Sequence, residues 1–356
     1  MPTKANMEQL LRLVVEQGAT DLHLSANQPP HLRVDERIVP MELPKLSGDE
    51  VKALAYGLIP QEKVERFERA KELDFAFTLE GVARFRANLF VQRGSVGVAI
   101  RMLPFEIKTF EALGLPIKAM VTMCEKQKGL VLITGATGSG KTTTLAAMVD
   151  YLNSHHAFHI VTIEDPIEYV HTNKQAVIDQ REVGTDTLSF AQGLKHVLRQ
   201  DPDAILIGEM RDIETIETAL IVAETGHLVL ATLHTSDAVQ TMNRIVDVFP
   251  AHQQNQVRIQ LSLELLGVVS QQLIPKASGQ GRALATELLI ANHAVRSLIR
   301  EQKIHQLYSA IQTGQKEGMY TMNQSLYELY THRVISLDEA KARSSDPDDF
   351  MRLINR

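Results

Sequence analysis

Two hydrophobic rhythms divide the chain. Near the N-terminus Leu10, Leu11, Val14 and Val15 recur at helical spacing among Glu8, Arg12 and Glu16. This predicts an amphipathic helix ending near Gly18, in a stretch too polar for a secretory signal. Short strands are expected at Asp21–Ser25, His31–Val34 and Arg37–Val39. A helical stretch follows over Gly48–Lys71, then antiparallel strands at Leu73–Leu79, Ala83–Gln92 and Ser95–Met102. Within Arg84–Leu89 the period of two sets Arg84, Arg86 and Asn88 on one face, with Phe85, Ala87 and Leu89 on the other. Residues 1–103 thus read as an α+β domain, and 104–116, bracketed by Pro104 and Pro116, as a connector.

Beyond residue 117 the rhythm changes. Unbroken apolar runs at Gly129–Thr134, His159–Ile163, Ala204–Gly208 and Leu228–Thr232 alternate with helical stretches. Such runs fit strands buried on both faces of a mostly parallel sheet, so the expected fold class is α/β over 117–356. From about residue 291 to 356 the chain reads as helices with short breaks. No apolar run approaches the ~20 residues of a membrane span, so membrane association is expected only through partners.

Composition narrows the picture. The 356 residues suggest two domains at ~150 residues each. The net charge of −6 and the lack of Trp argue against a globally basic nucleic-acid surface. The single cysteine, Cys124, excludes an internal disulfide and a cysteine metal cluster, which suits a reduced, cytoplasmic setting.

The first candidate chemistry is Gly135-Ala136-Thr137-Gly138-Ser139-Gly140-Lys141-Thr142, which matches G-x-x-x-x-G-K-[ST] between an expected strand and an expected helix. Glycines let the backbone curl so that successive N–H groups face phosphate oxygens at the positive end of a helix. Lys141 would reach the β- and γ-phosphates of ATP, and the Thr142 hydroxyl would ligate Mg²⁺. The adjoining Thr143 is a further nucleotide-contact candidate.

Two more core runs end in acids. Ile160–Ile163 leads into Glu164-Asp165-Pro166-Ile167-Glu168, and Ala204–Gly208 into Glu209. Ligands in open α/β sheets sit beyond the carboxyl ends of strands, where one carboxylate holds Mg²⁺ and another orients the attacking water. The run from Gly226 to Thr235 carries a histidine at each end: His234 at the carboxyl end, placed to sense the γ-phosphate region, and His227 as a second nucleotide-contact candidate. His155, His156 and His159 have suggestive spacing, but no accompanying acid pattern, and read as a solvated loop. Arg84, Arg86 and Arg101 are candidates to reach phosphates from a neighbouring subunit.

These motifs together resemble the secretion ATPase superfamily: a Walker A loop, an aspartate-rich box over Thr162–His171, a Walker B run ending at Glu209, and a histidine box over Gly226–Thr235. Within it the chain is most similar to the type IV pilus retraction ATPases, the PilT family. Asp21-Leu22-His23-Leu24, Arg199-Gln200-Asp201-Pro202-Asp203 and Gly318–Leu326 extend the likeness over nearly the whole length. The resemblance implies a PAS-like N-terminal domain, a RecA-like P-loop ATPase core and a helical C-terminal region, assembled as a homohexameric ring. It implies Glu164 as catalytic glutamate and Glu209 as the Walker B acid and metal ligand. His234, Arg84, Arg86 and Arg101 would complete the catalytic set. The implied partners are an inner-membrane pilus platform protein and other pilus motor ATPases, at the inner face of the cytoplasmic membrane, with no nucleic acid.

Two positions depart from the family pattern. Ala136 stands where Pro is common, and Ala294-Val295-Arg296-Ser297-Leu298 replaces Ala-Ile-Arg-Asn-Leu. Arg296 and Leu298 are expected to present a surface needed for retraction. An accessory retraction paralogue, a nucleotide-regulated scaffold for a partner motor and a RecA-like nucleic-acid translocase stay open as alternatives.

Overall fold

The computed structural model describes residues 6–34, 37–103 and 106–355. Pro104, at the start of the expected connector, lies outside the described residues. The chain divides into two compact units, Met1–Glu106 with Pro166–Val170, and Ile107–Asp165 with His171–Arg356.

In the first unit six strands, β1 (Asp21–Leu24), β2 (His31–Val34), β3 (Arg37–Pro40), β4 (Glu72–Leu79), β5 (Ala83–Gln92) and β6 (Ser95–Leu103), form one antiparallel sheet. Their order is β3-β2-β1-β6-β5-β4. Leu22, Leu24, Phe85, Leu89 and Ile100 share a core with Leu10 and Leu11 of the helix Met7–Glu16 and Phe67 of the helix Gln61–Ala70. Each such side chain contributes roughly 1.5–3 kcal/mol by leaving water. The helical stretch expected over 48–71 is two helices, Gly48–Tyr56 and Gln61–Ala70. Pro60 ends the continuity: its extended backbone serves as N-cap of the second helix, where a missing N–H costs nothing.

The second unit holds a seven-stranded sheet of β7 (Gly129–Thr134), β8 (His159–Glu164), β9 (Val177–Glu182), β10 (Ala204–Ile207), β11 (Leu228–Leu233), β12 (Leu265–Pro275) and β13 (Arg282–Ile290). The order is β13-β12-β7-β11-β10-β8-β9, and every neighbouring pair is parallel except β12 with β13. Both faces are covered. Leu130 and Leu132 pack in one core with Ile205, Ile207 and Leu220, while Val131 and Ile133 pack in another with Leu145, Met148 and Leu152. That alternation explains why these strands read as unbroken apolar runs.

Three strands escape the apolar rhythm. β9 carries Asp179, Gln180, Arg181 and Glu182 on a sheet edge. β12 buries Ser270 and Gln271, whose hydroxyl and amide reach Thr134 and Thr144. β13 buries Thr286 and Glu287. Past β13 the chain is helical, with α-helices at His293–Arg300, Leu307–Thr313, Met322–Thr331, Leu337–Arg343 and Pro347–Ile354. No helix among the described residues is long and apolar enough to cross a membrane.

Candidate functional site

The loop after β7 is shaped by its glycines. Gly135 has φ of 142°, and a Cβ there would lie 2.5 Å from the Gln271 carbonyl and from Ser139 Oγ. Gly138 and Gly140 have φ of 80° and 91°, left-handed values that turn consecutive N–H groups to one side. The helix Lys141–His155 starts at Gly140 with no side-chain cap, so its first N–H groups are presented to the loop.

Lys141 is 8% exposed, and its ammonium donates to the carbonyls of Gly135 at 2.8 Å and Ala136 at 3.0 Å. Thr142 and Thr143 follow, both half-buried. Behind them Gln271 of β12 donates to Thr144 Oγ1 at 2.7 Å and ties the helix to the sheet.

The acids stand at the carboxyl ends of adjacent parallel strands. Glu164, 7% exposed, ends β8, and its Oε1 accepts from Thr162 Oγ1 at 2.6 Å and from Gln180 Nε2 at 3.2 Å. Glu209 follows β10. The Gly208 N–H donates to the Ile163 carbonyl at 2.8 Å, and its carbonyl accepts from Thr232 Oγ1 at 2.5 Å, which fixes the turn between β8 and β11. A Cβ at Gly208 would lie 3.3 Å from the Glu164 Cα, so only glycine lets the two acidic turns lie side by side without displacement. Glu209 Oε2 accepts from Arg211 Nε at 2.7 Å and lies 3.2 Å from His234 Nε2. His234 Nδ1 lies 3.5 Å from Lys141 Nζ. A neutral imidazole protonated at Nε2 satisfies both contacts, linking Lys141, His234 and Glu209 in one chain.

The turn after β11 continues into the helix Ala238–Asp247, capped by Asp237. The Ala238 N–H donates to Glu287 Oε1 at 2.9 Å. Burial pushes the Glu287 carboxyl up to about 7, aided by Asp237 and opposed by backbone N–H groups of Ala238 and Met322.

Sequence-derived candidates therefore separate. The phosphate loop, Glu164, Glu209 and His234 come together in the second unit. His227 does not join them. It precedes β11, at the amino end of a strand parallel to β7, and its Nδ1 lies 3.0 Å from the Val222 carbonyl and 3.2 Å from Thr225 Oγ1. With seven residue steps from one histidine to the other at ~3.3 Å each, His227 is roughly 20 Å from His234, at the opposite end of the strand from the phosphate-loop candidates.

The arginines belong to the first unit. Arg86 and Arg101 are directly opposed across β5 and β6, and Arg84 lies two positions along on the same face. Arg84 donates to Thr78 Oγ1 and the Ile167 carbonyl, Arg86 approaches Asp74 at 3.8 Å, and Arg101 donates to Asp21 at 2.8 Å. The Arg101 side chain stays 67% exposed.

Two other expectations need correction. The loop expected over His155–His159 is confined to 156–158, and the histidines around it have partners: His155 stacks on Tyr151, His156 on Phe158, and His159 opens β8 with Nε2 3.0 Å from Asp179. Among the described residues no group of three or more His, Cys, Asp or Glu is arranged to hold a metal. Arg296 does not project from its helix as a docking surface. Its guanidinium turns inward and donates to the carbonyls of Ala291, Ser262, Leu263 and Leu265, closing the end of the helix Ala251–Glu264. Leu298 is half-buried against the core.

The sequence pattern of the type II/IV secretion system proteins matches residues 2–336. The chain belongs to this family. Among relatives of these secretion ATPases, the chain is 48% identical over 345 residues to the type IV pilus retraction ATPase PilT of Pseudomonas aeruginosa, covering 97% of this chain and 100% of that protein. It is 41% identical to the type IV pilus ATPase PilU of the same organism, over 98% of this chain and 91% of the relative. The solved structure of the pilus retraction motor PilT with bound ADP superposes with a TM-score of 0.92 at 50% identity, over 98% of this chain and 99% of the other.

Proposed function

We propose that this secretion ATPase hydrolyses ATP with Mg²⁺ as a homohexameric ring and powers type IV pilus retraction, acting on a platform protein at the inner face of the cytoplasmic membrane beside other pilus motor ATPases. The first unit is the PAS-like domain of this reading, and the second the RecA-like core with a helical C-terminal region from about residue 291. The observation that carries the reading is the linked set Lys141–His234–Glu209 at adjoining strand ends, with Glu164 on the next strand.

The groups present fit the nucleotide and its metal. Gly135, Gly138 and Gly140 shape a cradle for phosphate oxygens, and the buried Ser139 Oγ is without a hydrogen-bond partner inside it. Glu209 Oε2 already attracts the Arg211 guanidinium, as a carboxylate placed to attract a cation does. Glu209 and Thr142 would hold Mg²⁺, which supplies charge neutralisation at the phosphates. Lys141 exchanges the two loop carbonyls for phosphate oxygens, and His234 reports that movement to Glu209. Glu164, held by Thr162 and Gln180, orients water and accepts its proton. In a ring, Arg84, Arg86 and Arg101 serve a neighbour's nucleotide.

Expression in a bacterium deleted for its own retraction ATPase tests the reading: twitching motility should return with the intact chain and not with Lys141→Ala. Ser297 in the C-terminal motif favours a second reading, an accessory motor. That reading gains if motility is enhanced only when the host's principal retraction ATPase is also present.

A further inference from the structure

β9 is an edge strand, yet one of its polar side chains turns toward the acid at the end of β8. In the parallel register Gln180 pairs with Thr162 and Glu182 with Glu164, so the four side chains share one face. The Gln180 amide is used at both ends. Its Oε1 accepts from the His171 N–H at 2.8 Å, and its Nε2 donates to Glu164 Oε1 at 3.2 Å. His171 closes the loop that Glu164 opens, so a single side chain spans both ends of residues 165–170.

We propose that Gln180 is a positioning residue for ATP hydrolysis, fixing the plane of the Glu164 carboxylate through Oε1 while anchored to the backbone at His171. The inference rests on the reading of Glu164 as the residue that activates water. Thr162 and Gln180 both donate to the same oxygen, so rotation of the carboxylate breaks two hydrogen bonds at once. The direction of Oε2 is thereby set by bonds made at Oε1. Both donors are neutral. What an amide and a hydroxyl on one oxygen supply is direction: each bond is made only in one orientation of the carboxylate. On the outer edge of β9 the Ile178 N–H donates to Asn173 Oδ1 at 3.1 Å and the Glu182 N–H to Asp186 Oδ2 at 2.8 Å, so the backbone on either side of Gln180 is held while its side chain is anchored at His171.

The test compares Gln180→Met, of similar length without hydrogen bonds, with Gln180→Glu, which keeps an acceptor for the His171 N–H but loses the donor to Glu164. ADP binding per chain is measured first, and KM for ATP and kcat follow. Both variants should bind ADP and keep KM within about twofold, while kcat falls about tenfold to a hundredfold, the cost of slight misplacement of a reacting group. In a Glu164→Gln background, Gln180→Met should cause no further fall. Wild-type kcat in both variants overturns the proposal. Wild-type kcat in Gln180→Glu alone, with loss in Gln180→Met, also overturns it, because Gln180 would then serve only the loop. A further fall in the Glu164→Gln background overturns action through Glu164. If Glu164→Gln by itself turns over normally, the reading of Glu164 fails first; if it is inactive and the Gln180 variants are normal, only the positioning role fails.

Discussion

The Lys141 ammonium lies 3.5 Å from Nδ1 of His234. Through the other ring nitrogen, 3.2 Å from Glu209, the histidine links Lys141 to Glu209. The loop's own backbone is untouched by the imidazole in this arrangement. His234→Ala should therefore keep ADP binding and lower kcat about 100-fold, a loss typical of one preorganised polar group at a reacting centre. Measuring both on one preparation separates the cases; an equal loss of ADP affinity would assign His234 to holding the loop.

Arg296 is expected to act through stability. Its guanidinium satisfies carbonyls of Ser262, Leu263 and Leu265 at the end of a helix, where orphan acceptors otherwise remain. Arg296→Ala should cost about 1–3 kcal/mol, since the part-buried carbonyls of Ser262 and Leu265 lose their donor while the exposed Leu263 carbonyl turns to water. Arg296→Lys should recover little of this, because an ammonium lacks the planar fork. Denaturation of the three proteins checks it; unchanged unfolding with lost motility would restore the docking-surface reading.

Glu287 makes stability depend on pH. Its carboxyl titrates near 4.5 when unfolded and about 7 when folded, so the folded state holds the proton more tightly. The stabilisation is fully present below pH 4.5 and is lost as pH rises through about 7. At about 1.4 kcal/mol per pH unit, ionisation costs the fold about 3 kcal/mol. The thermal midpoint of Glu287→Gln relative to the intact protein should thus rise between pH 5 and pH 8. A constant difference would show that Glu287 does not titrate in that range.

How much of this was legible in the sequence follows from where the residues lie. Gly135 to Thr142, Glu164, Glu209 and His234 sit in contiguous motifs at the ends of apolar runs, so the one-dimensional pattern locates them. Gln180 and Gln271 reach the site from strands whose polar residues mask the apolar rhythm, and only sheet register brings them to Glu164 and Thr144. Glu287 is buried because it accepts from helix N-termini distant in sequence. His227 misled because strand polarity, rather than spacing from the motif, decides which end meets the nucleotide. Arg296 misled because helical spacing says nothing of where a long side chain turns.

The arginines give an expectation about assembly. Burial raises the Asp21 carboxyl, but hydrogen bonds from Thr20 and Arg101 outweigh it and hold the group below its usual range. Arg101 nonetheless keeps most of its surface exposed. If it serves a neighbour's nucleotide, mixing Arg101→Ala with Lys141→Ala protein should restore some ATPase activity, since mixed rings contain intact sites. Absence of recovery despite demonstrated mixed assembly would locate the arginine's work within one subunit.

The central claim is that this site binds ATP through the phosphate loop and hydrolyses it through Glu164. The most direct measurement is a single-turnover experiment on Glu164→Gln beside the intact protein, with ATP binding and phosphate release followed on the same sample. An amide still accepts a hydrogen bond but is a poor base, so binding should persist while phosphate release falls at least about 100-fold. Normal phosphate release from Glu164→Gln, with loss instead in Glu209→Gln, would contradict the account.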